Sequence, residues 1–114
     1  MNLIESLAAQ QLDAYNRSDL DAFVACYHPD VVVVDGDQQV CEGRSAFRER
    51  YRDLFARLEF GGTVPERLVL EGTCVDLEHY WRIDPDSGER TEGSVLVIYT
   101  LREKHIGHVR FIRP

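Results

Sequence analysis

The 114-residue sequence predicts one α+β domain, in which helices come first along the chain and antiparallel strands follow. Three observations support this fold class. Apolar residues up to position 58 recur at helical spacing, those after Gly61-Gly62 follow a strand pattern, and strands do not alternate with helices. A chain of this length can bury one core and one small cavity, so we expect a single domain over residues 1–114.

Three helices are predicted in the first half of the chain. The first covers 3–15, where the apolar side chains form one amphipathic stripe. A second, shorter helix is expected to have Ser18 as its N-cap and to stop at His28-Pro29. Ser45 is expected to cap the third helix, whose apolar residues repeat with a period near 3.6: Phe47, Tyr51, Leu54, Phe55 and Leu58.

Strands are predicted in two groups. The β-branched run at 31–34, the turn after it and a short return strand at 40–41 form a two-strand element. A curved antiparallel sheet is expected from about residue 64, with strands over 67–71, 75–83, 94–101 and 106–112. In the strand over 75–83 the alternation predicts that the apolar set faces inward: Val75, Leu77, His79, Trp81 and Ile83.

The charge balance restricts the partners. Twenty acidic and thirteen basic residues give a formal net charge of −7 at pH 7. Nucleic acid and anionic membranes both require a basic surface, so we expect neither as a partner. Five arginines between positions 44 and 57 form either an anion-binding patch or a solvated helix face with pairs of mixed sign.

The cysteines and the apolar runs indicate the compartment. Three cysteines without a CxxC pair make a disulfide framework unlikely to form, and no stretch reaches the ~20 apolar residues of a membrane span. The first residues lack the basic start of a signal peptide. We therefore expect a soluble, reduced, cytoplasmic protein.

Several strings resemble a known family. The segment A-Y-N-R-S-D-L-D-A-F-V-A-C-Y-H-P-D-V-V-V-V-D, followed by C-E-G-R-S-A-F-R-E-R-Y, resembles the NTF2-like superfamily and, within it, the SnoaL-like and ketosteroid-isomerase-like branch. The tail H-I-G-H-V-R-F-I-R-P fits the same pattern. This resemblance implies a cone, in which three N-terminal helices pack into a strongly curved antiparallel sheet and leave an apolar pocket open at one end.

The resemblance also suggests site residues. Ketosteroid isomerases carry a general-base Asp at the end of the first strand, and Asp35 matches that position. Tyr27 and Tyr51 match the outer members of that family's tyrosine network. Gln11 occupies the position of the oxyanion-hole tyrosine, and the neutral-Asp position falls on an apolar residue, Leu96 or Val97. Steroid isomerisation is therefore not expected, because both oxyanion donors of that design are absent.

Each candidate catalytic residue has a structural alternative. Asp35 is either a general base whose pKa is raised by an apolar wall or a turn residue that caps its own backbone. Gln11 either bonds a neighbour such as Tyr27 or Tyr51 or faces a polar ligand group. His79 either completes an acid–base pair with Asp35 or is a core histidine. The resemblance places the following residues on the pocket wall: Tyr15, Tyr27, Val33, Tyr51, Trp81, Tyr99 and Phe111.

Two functions of different classes follow. The first is a SnoaL-like acid–base enzyme, of isomerase, cyclase or dehydratase type, acting on a small apolar carbonyl or polyketide-like compound. The second is a non-catalytic domain that binds a small molecule in the same pocket. No metal site and no organic cofactor are expected, because no ligand spacing or phosphate-binding loop is present. The strand over 94–101 is apolar on both faces, which favours a homodimer through the outer face of the sheet.

Overall fold

A computed structural model describes residues 2–114 as three helices and six strands. In chain order these are α1 (Leu3–Asn16), α2 (Leu20–Ala25), β1 (Tyr27–Asp35), β2 (Gln38–Glu42), α3 (Arg44–Arg57), β3 (Glu59–Leu70), β4 (Thr73–Ile83), β5 (Arg90–Arg102) and β6 (His105–Ile112). The predicted α+β class and the three N-terminal helices are confirmed. No helix in the described part of the chain is both long and apolar enough to cross a membrane.

The helix caps differ in part from those that the sequence predicts. Asp19, not Ser18, caps α2, because its side chain accepts a hydrogen bond of 3.0 Å from the backbone N–H of Ala22. Ser18 lies in the preceding tight turn with a φ of 55°. Gly43 precedes α3, and Ser45 lies inside the helix. The second helix ends before Tyr27, so His28 and Pro29 belong to β1 and do not terminate a helix.

All six strands form one sheet with the order β2-β1-β6-β5-β4-β3. The predicted separation of a two-strand element from the main sheet is therefore wrong. The sheet is antiparallel except at one seam, where β1 runs parallel to β6 and Val33 lies opposite Val109. This seam joins the first hairpin to the end of the chain, which no local pattern reveals.

The inward face of β4 is the opposite of the one predicted. Cys74 and Asp76 are buried, Glu78 points to the same side, and His79 is exposed on the outer face. The inner face tolerates polar groups because they have partners: Arg67 of β3 binds the buried Asp76 carboxylate through Nε at 2.7 Å and Nη2 at 3.0 Å.

The outer face of the sheet carries the apolar residues that the prediction placed inside. Leu77 lies opposite Leu96 of β5, and Leu96 lies opposite Ile112 of β6, so an apolar row crosses three strands. Of this row, Leu96 is 39% exposed and Ile112 42%, and on the neighbouring strand β3 Leu68 and Leu70 are 73% and 76% exposed. The inner face of β5 is buried at Val95, Val97 and Tyr99, so this strand is apolar on both faces, as expected.

The core lies between the helices and the concave side of the curved sheet. Aromatic rings dominate it: Phe23 of α2 stacks on Phe47 of α3 with centroids 5.6 Å apart, and Tyr27 of β1 packs on Phe47 at 4.1 Å. Buried aliphatic residues from α1 and from the sheet complete the core. The core does not fill the whole concave side, and the remaining space is the cavity described next.

Candidate functional site

A cavity of about 260 Å³ opens between the helices and the concave side of the sheet. All five tyrosines of the chain line it: Tyr15, Tyr27, Tyr51, Tyr80 and Tyr99. Phenylalanine and aliphatic side chains form the rest of the apolar wall, including Val109 and Phe111 of β6. A cavity of ~150 Å³ with an apolar lining accepts benzene, so this one has room for a molecule of one or two rings.

The acidic residue of the cavity lining is Glu78, in the middle of β4. Burial first, and the nearby charge of Asp76 second, raise the pKa of this carboxyl from 4.5 to about 7. The guanidiniums of Arg82 and Arg113 act in the opposite direction on the same pKa. At neutral pH Glu78 therefore exists in both its protonated and its ionised form, as a general acid or base requires.

A glycine on the neighbouring strand makes room for this carboxyl. Gly62 of β3 pairs with Tyr80 of β4, and a Cβ added to Gly62 would lie 2.9 Å from Oε1 of Glu78. The backbone of Gly62 is itself fixed by Asn16, whose side chain accepts from its N–H at 2.8 Å and donates to its C=O at 3.0 Å. Helix α1 thus holds the strand position against which Glu78 lies.

Gln11 and Tyr27 form a buried polar pair at the cavity wall. The Tyr27 hydroxyl donates to Oε1 of Gln11 at 3.0 Å, and Nε2 of Gln11 donates to the C=O of Ala8 at 3.1 Å. Of the two expectations for Gln11, bonding to a tyrosine neighbour is the one that the structure shows. Gln11 also lines the cavity.

The tyrosine hydroxyls of the cavity stay protonated at physiological pH. Burial raises the pKa of Tyr15 to about 12, raises that of Tyr51, and lifts those of Tyr27 and Tyr99 well above 10. Tyr99 lines the cavity, and since no fully buried side-chain oxygen of residues 2–114 lacks a hydrogen-bond partner, its hydroxyl, which forms no hydrogen bond with these residues, faces the open space of the cavity. Tyr99 is thus a neutral donor that can serve an oxygen placed in the cavity.

Asp35 does not line the cavity, in contrast to the expectation. Its carboxylate binds Nε of Arg113 at 3.1 and 3.2 Å, and 31% of the side chain is exposed. Strand β1 ends at Asp35, directly opposite Phe111 of β6, which does line the cavity. Arg113, the ion-pair partner of Asp35, lines the cavity as well.

Three other predicted residues also lie elsewhere. His79 is on the outer face, where Nδ1 is 2.7 Å from Oγ of Ser94, because the face of β4 is reversed. Trp81 shares that face, and Cζ of Arg90 lies 5.0 Å from the centroid of its ring. Val33 is fully buried in the core, and the lining of the cavity does not include it. Neither alternative for His79 is therefore found, since it is not buried in the core and its ring bonds Ser94 on the outer face.

Sequence reasoning missed Glu78 and three cavity arginines, Arg50, Arg82 and Arg113. The alternation of β4 contained the signal, since Asp76, Glu78, Tyr80 and Arg82 form one continuous row. The sequence alone predicts that this row faces solvent, because the opposite row is more apolar. A buried carboxylate next to a glycine on the paired strand becomes visible only when the register of β3 and β4 is known.

The cysteines have no nucleophilic environment. Cys26, Cys41 and Cys74 are buried and free. Burial raises the pKa of each thiol, that of Cys74 to about 12 with help from the charge of Asp76. Within residues 2–114 no three His, Cys, Asp or Glu side chains are grouped so as to hold a metal ion.

Several solved structures share this fold. An uncharacterised cystatin-fold protein from Novosphingobium aromaticivorans is 23% identical with a TM-score of 0.87, and the match covers 99% of both chains. RV0760c from Mycobacterium tuberculosis, solved in complex with estradiol-17β-hemisuccinate, is 13% identical with a TM-score of 0.89 (100% of this chain, 95% of the other). The Δ5-3-ketosteroid isomerase from Mycobacterium sp. is 12% identical with a TM-score of 0.88, at the same coverage.

These identities show the fold and do not assign a reaction. No curated protein sequence matches the chain. The family model that does match is that of the SnoaL-like domain, over residues 8–109. This match spans most of the chain, from within α1 to the middle of β6, and agrees with the resemblance that the sequence strings carry. The chain therefore belongs to the SnoaL-like domain family.

Proposed function

We propose that this SnoaL-like protein is an acid–base enzyme that moves a proton on a small, largely apolar carbonyl or polyketide-like compound. The observation that carries the proposal is Glu78, a carboxyl whose pKa lies at about 7 and the one acidic residue in a cavity lined mainly by aromatic and aliphatic side chains. Perturbed carboxyls of this kind concentrate at sites that transfer protons, because a base works best when its pKa is near the working pH.

The cavity suggests a role for two of its residues, Glu78 and Tyr99. Ionised Glu78 takes a proton from the carbon next to the carbonyl, so the C–H bond breaks and its electron pair moves toward the carbonyl oxygen. Tyr99 donates a hydrogen bond to that oxygen as it becomes negative. Protonated Glu78 then returns the proton, at another carbon in an isomerase or to a leaving oxygen in a dehydratase. Asp35 acts on Arg113 in this scheme and does not contact the substrate.

The experiment measures exchange of carbonyl-adjacent hydrogens for deuterium in D₂O, by NMR, on a panel of one- and two-ring ketones. We expect the wild type to catalyse exchange on at least one ketone, and Glu78→Gln to lose it by roughly 10²-fold or more. The rate should rise with pH through about 7, because the base is the ionised carboxyl.

Two glycines provide a matched pair of variants. Gly62→Ala pushes a methyl group against Oε1 of Glu78 and should reduce the exchange rate. Gly61→Ala adds the same methyl on the opposite face, against Trp81, and should keep the rate of the wild type. Wild-type exchange by Glu78→Gln together with loss in Asp35→Asn would assign the base to Asp35 instead. Ligand binding without exchange on any ketone would favour a binding domain.

We also infer that two chains associate through the outer face of the sheet. The support is the apolar row across β4, β5 and β6, which leaves Leu96 and Ile112 about 40% exposed. Light scattering should then give twice the chain mass of 13.1 kDa. Leu96→Lys places a charge in the middle of the row and should give monomers. A wild type that remains at 13.1 kDa at micromolar concentration would refute the association.

We propose a cytoplasmic location on the basis of the thiols. Three free cysteines, all buried, are typical of proteins kept in a reducing compartment. Cells that produce the protein can be fractionated and the fractions probed with an antibody against it. We expect the protein in the cytoplasmic fraction, and its recovery from the medium would contradict this proposal.

A further inference from the structure

The cavity lining carries an excess of positive charge. Arg50 of α3, Arg82 of β4 and Arg113 after β6 line it, whereas Glu78 is its one acidic residue among those that the structure describes. The chain as a whole has a net charge of −7, so the excess at the cavity is opposite to the overall balance. Three separate elements of the fold bring these guanidiniums to one opening.

Two of the three guanidiniums have no anionic partner. Arg113 is bound to Asp35 at 3.1 Å. Within residues 2–114, Arg50 and Arg82 form no ion pair with any carboxylate. Arg82 lies over the ring of Tyr80, with its Cζ 5.3 Å from the centroid. The cavity thus presents two guanidiniums without an ion-pair partner next to an aromatic interior, although the charge of Arg82 also acts on Glu78.

On α3, two of the arginines outside the cavity are paired with carboxylates, whereas Arg50 is not. The sequence left open whether the arginines of this helix form an anion patch or a solvated face. Arg48 pairs with Asp21 at 2.6 Å and Arg52 with Glu49 at 2.7 Å, as on a solvated face. Arg50 is the arginine of α3 that turns to the cavity.

We propose that the ligand of this cavity is a small aromatic or alicyclic carboxylate, whose anionic group binds Arg50 and Arg82 while its ring lies among the tyrosines. The proposal rests on the proposed function, because the site is the same cavity, and it narrows the substrate class to an acid. A volume of about 260 Å³ limits the body to one or two rings. Guanidinium and carboxylate form the strongest of the ordinary side-chain hydrogen bonds.

The test compares each acid with its neutral methyl ester. The probes are 4-hydroxyphenylacetate, cyclohexanecarboxylate and 2-naphthoate, titrated by isothermal calorimetry or by NMR shifts of the cavity tyrosines. We expect at least one acid to bind roughly tenfold or more tightly than its ester, since hydrogen bonds to charged groups contribute that much. Added NaCl should lower the affinity for the acid and leave the affinity for the ester unchanged. The acid that binds most tightly shows whether the cavity prefers an aromatic or an alicyclic ring.

Three arginine variants assign the effect. Arg50→Gln and Arg82→Gln should each lower the affinity for the acid by about tenfold and leave the affinity for the ester unchanged. Arg57→Gln removes the same charge from the same helix outside the cavity and should leave both affinities unchanged. Equal affinity of acid and ester, an acid preference that survives in both cavity variants, or no binding of any acid at about 10 mM would each overturn the proposal.

The outcome is separable from that of the proposed enzyme activity. If acids bind in a way that depends on Arg50 and Arg82 but no compound undergoes deuterium exchange, the proposed ligand class is supported and the proposed enzyme activity is refuted. If neutral ketones undergo exchange that depends on Glu78 and acids bind no better than their esters, the proposed enzyme activity is supported and the proposed ligand class is refuted.

Discussion

The elevated pKa of Glu78 implies that the carboxylate reduces the free energy of unfolding of the protein at neutral and alkaline pH. In the folded chain the pKa is about 7, against an ordinary value of 4.5. Below pH 4.5 the group is protonated in both the folded and the unfolded state. Between 4.5 and 7 the unfolded chain loses the proton first, so the free energy of unfolding falls as the pH rises, and above 7 the loss is complete.

The magnitude follows from the shift. Each pKa unit corresponds to ~1.36 kcal/mol, and the open mouth gives the carboxyl partial access to water, so we expect a loss of about 2–3 kcal/mol. Glu78→Gln keeps the shape and removes the titration. Relative to the wild type, this variant should therefore gain about 2–3 kcal/mol in free energy of unfolding between pH 4.5 and pH 8.

Urea titrations of both chains at half-unit steps from pH 4.5 to pH 8.5 provide the assay. All other titrating groups are common to the two chains, so the difference between them isolates Glu78. A carbon-13 NMR titration of the Glu78 carboxyl gives the pKa directly. A difference that stays constant over this pH range, or a pKa near 4.5, would refute the burial argument and weaken the assignment of Glu78 as the base.

Three further predictions concern the core. Arg67→Met should lower the free energy of unfolding by about 3–5 kcal/mol, because Asp76 is 1% exposed and would lose its bidentate partner. In urea titrations, the double variant with Asp76→Leu should recover much of this loss, and a double variant as unstable as the single variant would contradict the prediction. Tyr27→Phe should cost about 1–2 kcal/mol by the same measurement, since it leaves Oε1 of Gln11 without its donor, and an unchanged midpoint would argue against that bond. Alkylation of Cys74 in the folded protein should be orders of magnitude slower than in urea, because its pKa is about 12; mass spectrometry gives the rate, and equal rates would disprove it.

The helices could be predicted from the sequence because their apolar spacing has one interpretation. The stripe of α1 and the period of α3 both face the same core, so local pattern and tertiary packing agree. The parity of β6 was also predictable from the resemblance, and Val109 and Phe111 do line the cavity. These elements have one apolar side, and that side is buried.

The face of β4 could not be predicted in the same way. The rule that apolar residues point inward assumes that only one side of a sheet is hidden from water. Here the inner row contains a paired aspartate and a cavity glutamate, whereas the outer row is the more apolar one. Alternation identified the two rows correctly but not which of them faces the helices.

The position of Asp35 depends on contacts between distant parts of the chain. Its partner Arg113 is 78 residues away and reaches it only because β1 and β6 are neighbours. From the sequence, Asp35 has an apolar run before it and a turn after it, which fits a base equally well. The ion pair that binds its carboxylate is a property of the sheet order.

The parallel seam between β1 and β6 also bears on how the protein is synthesised. Strand β1 emerges from the ribosome well before its neighbour β6, which occupies His105–Ile112 and links the first hairpin to the rest of the sheet. Pairing between strands so far apart in sequence makes folding slow. The nascent hairpin must therefore wait with one edge open until β6 has been synthesised, and a chain truncated before residue 105 would keep that edge available for aggregation.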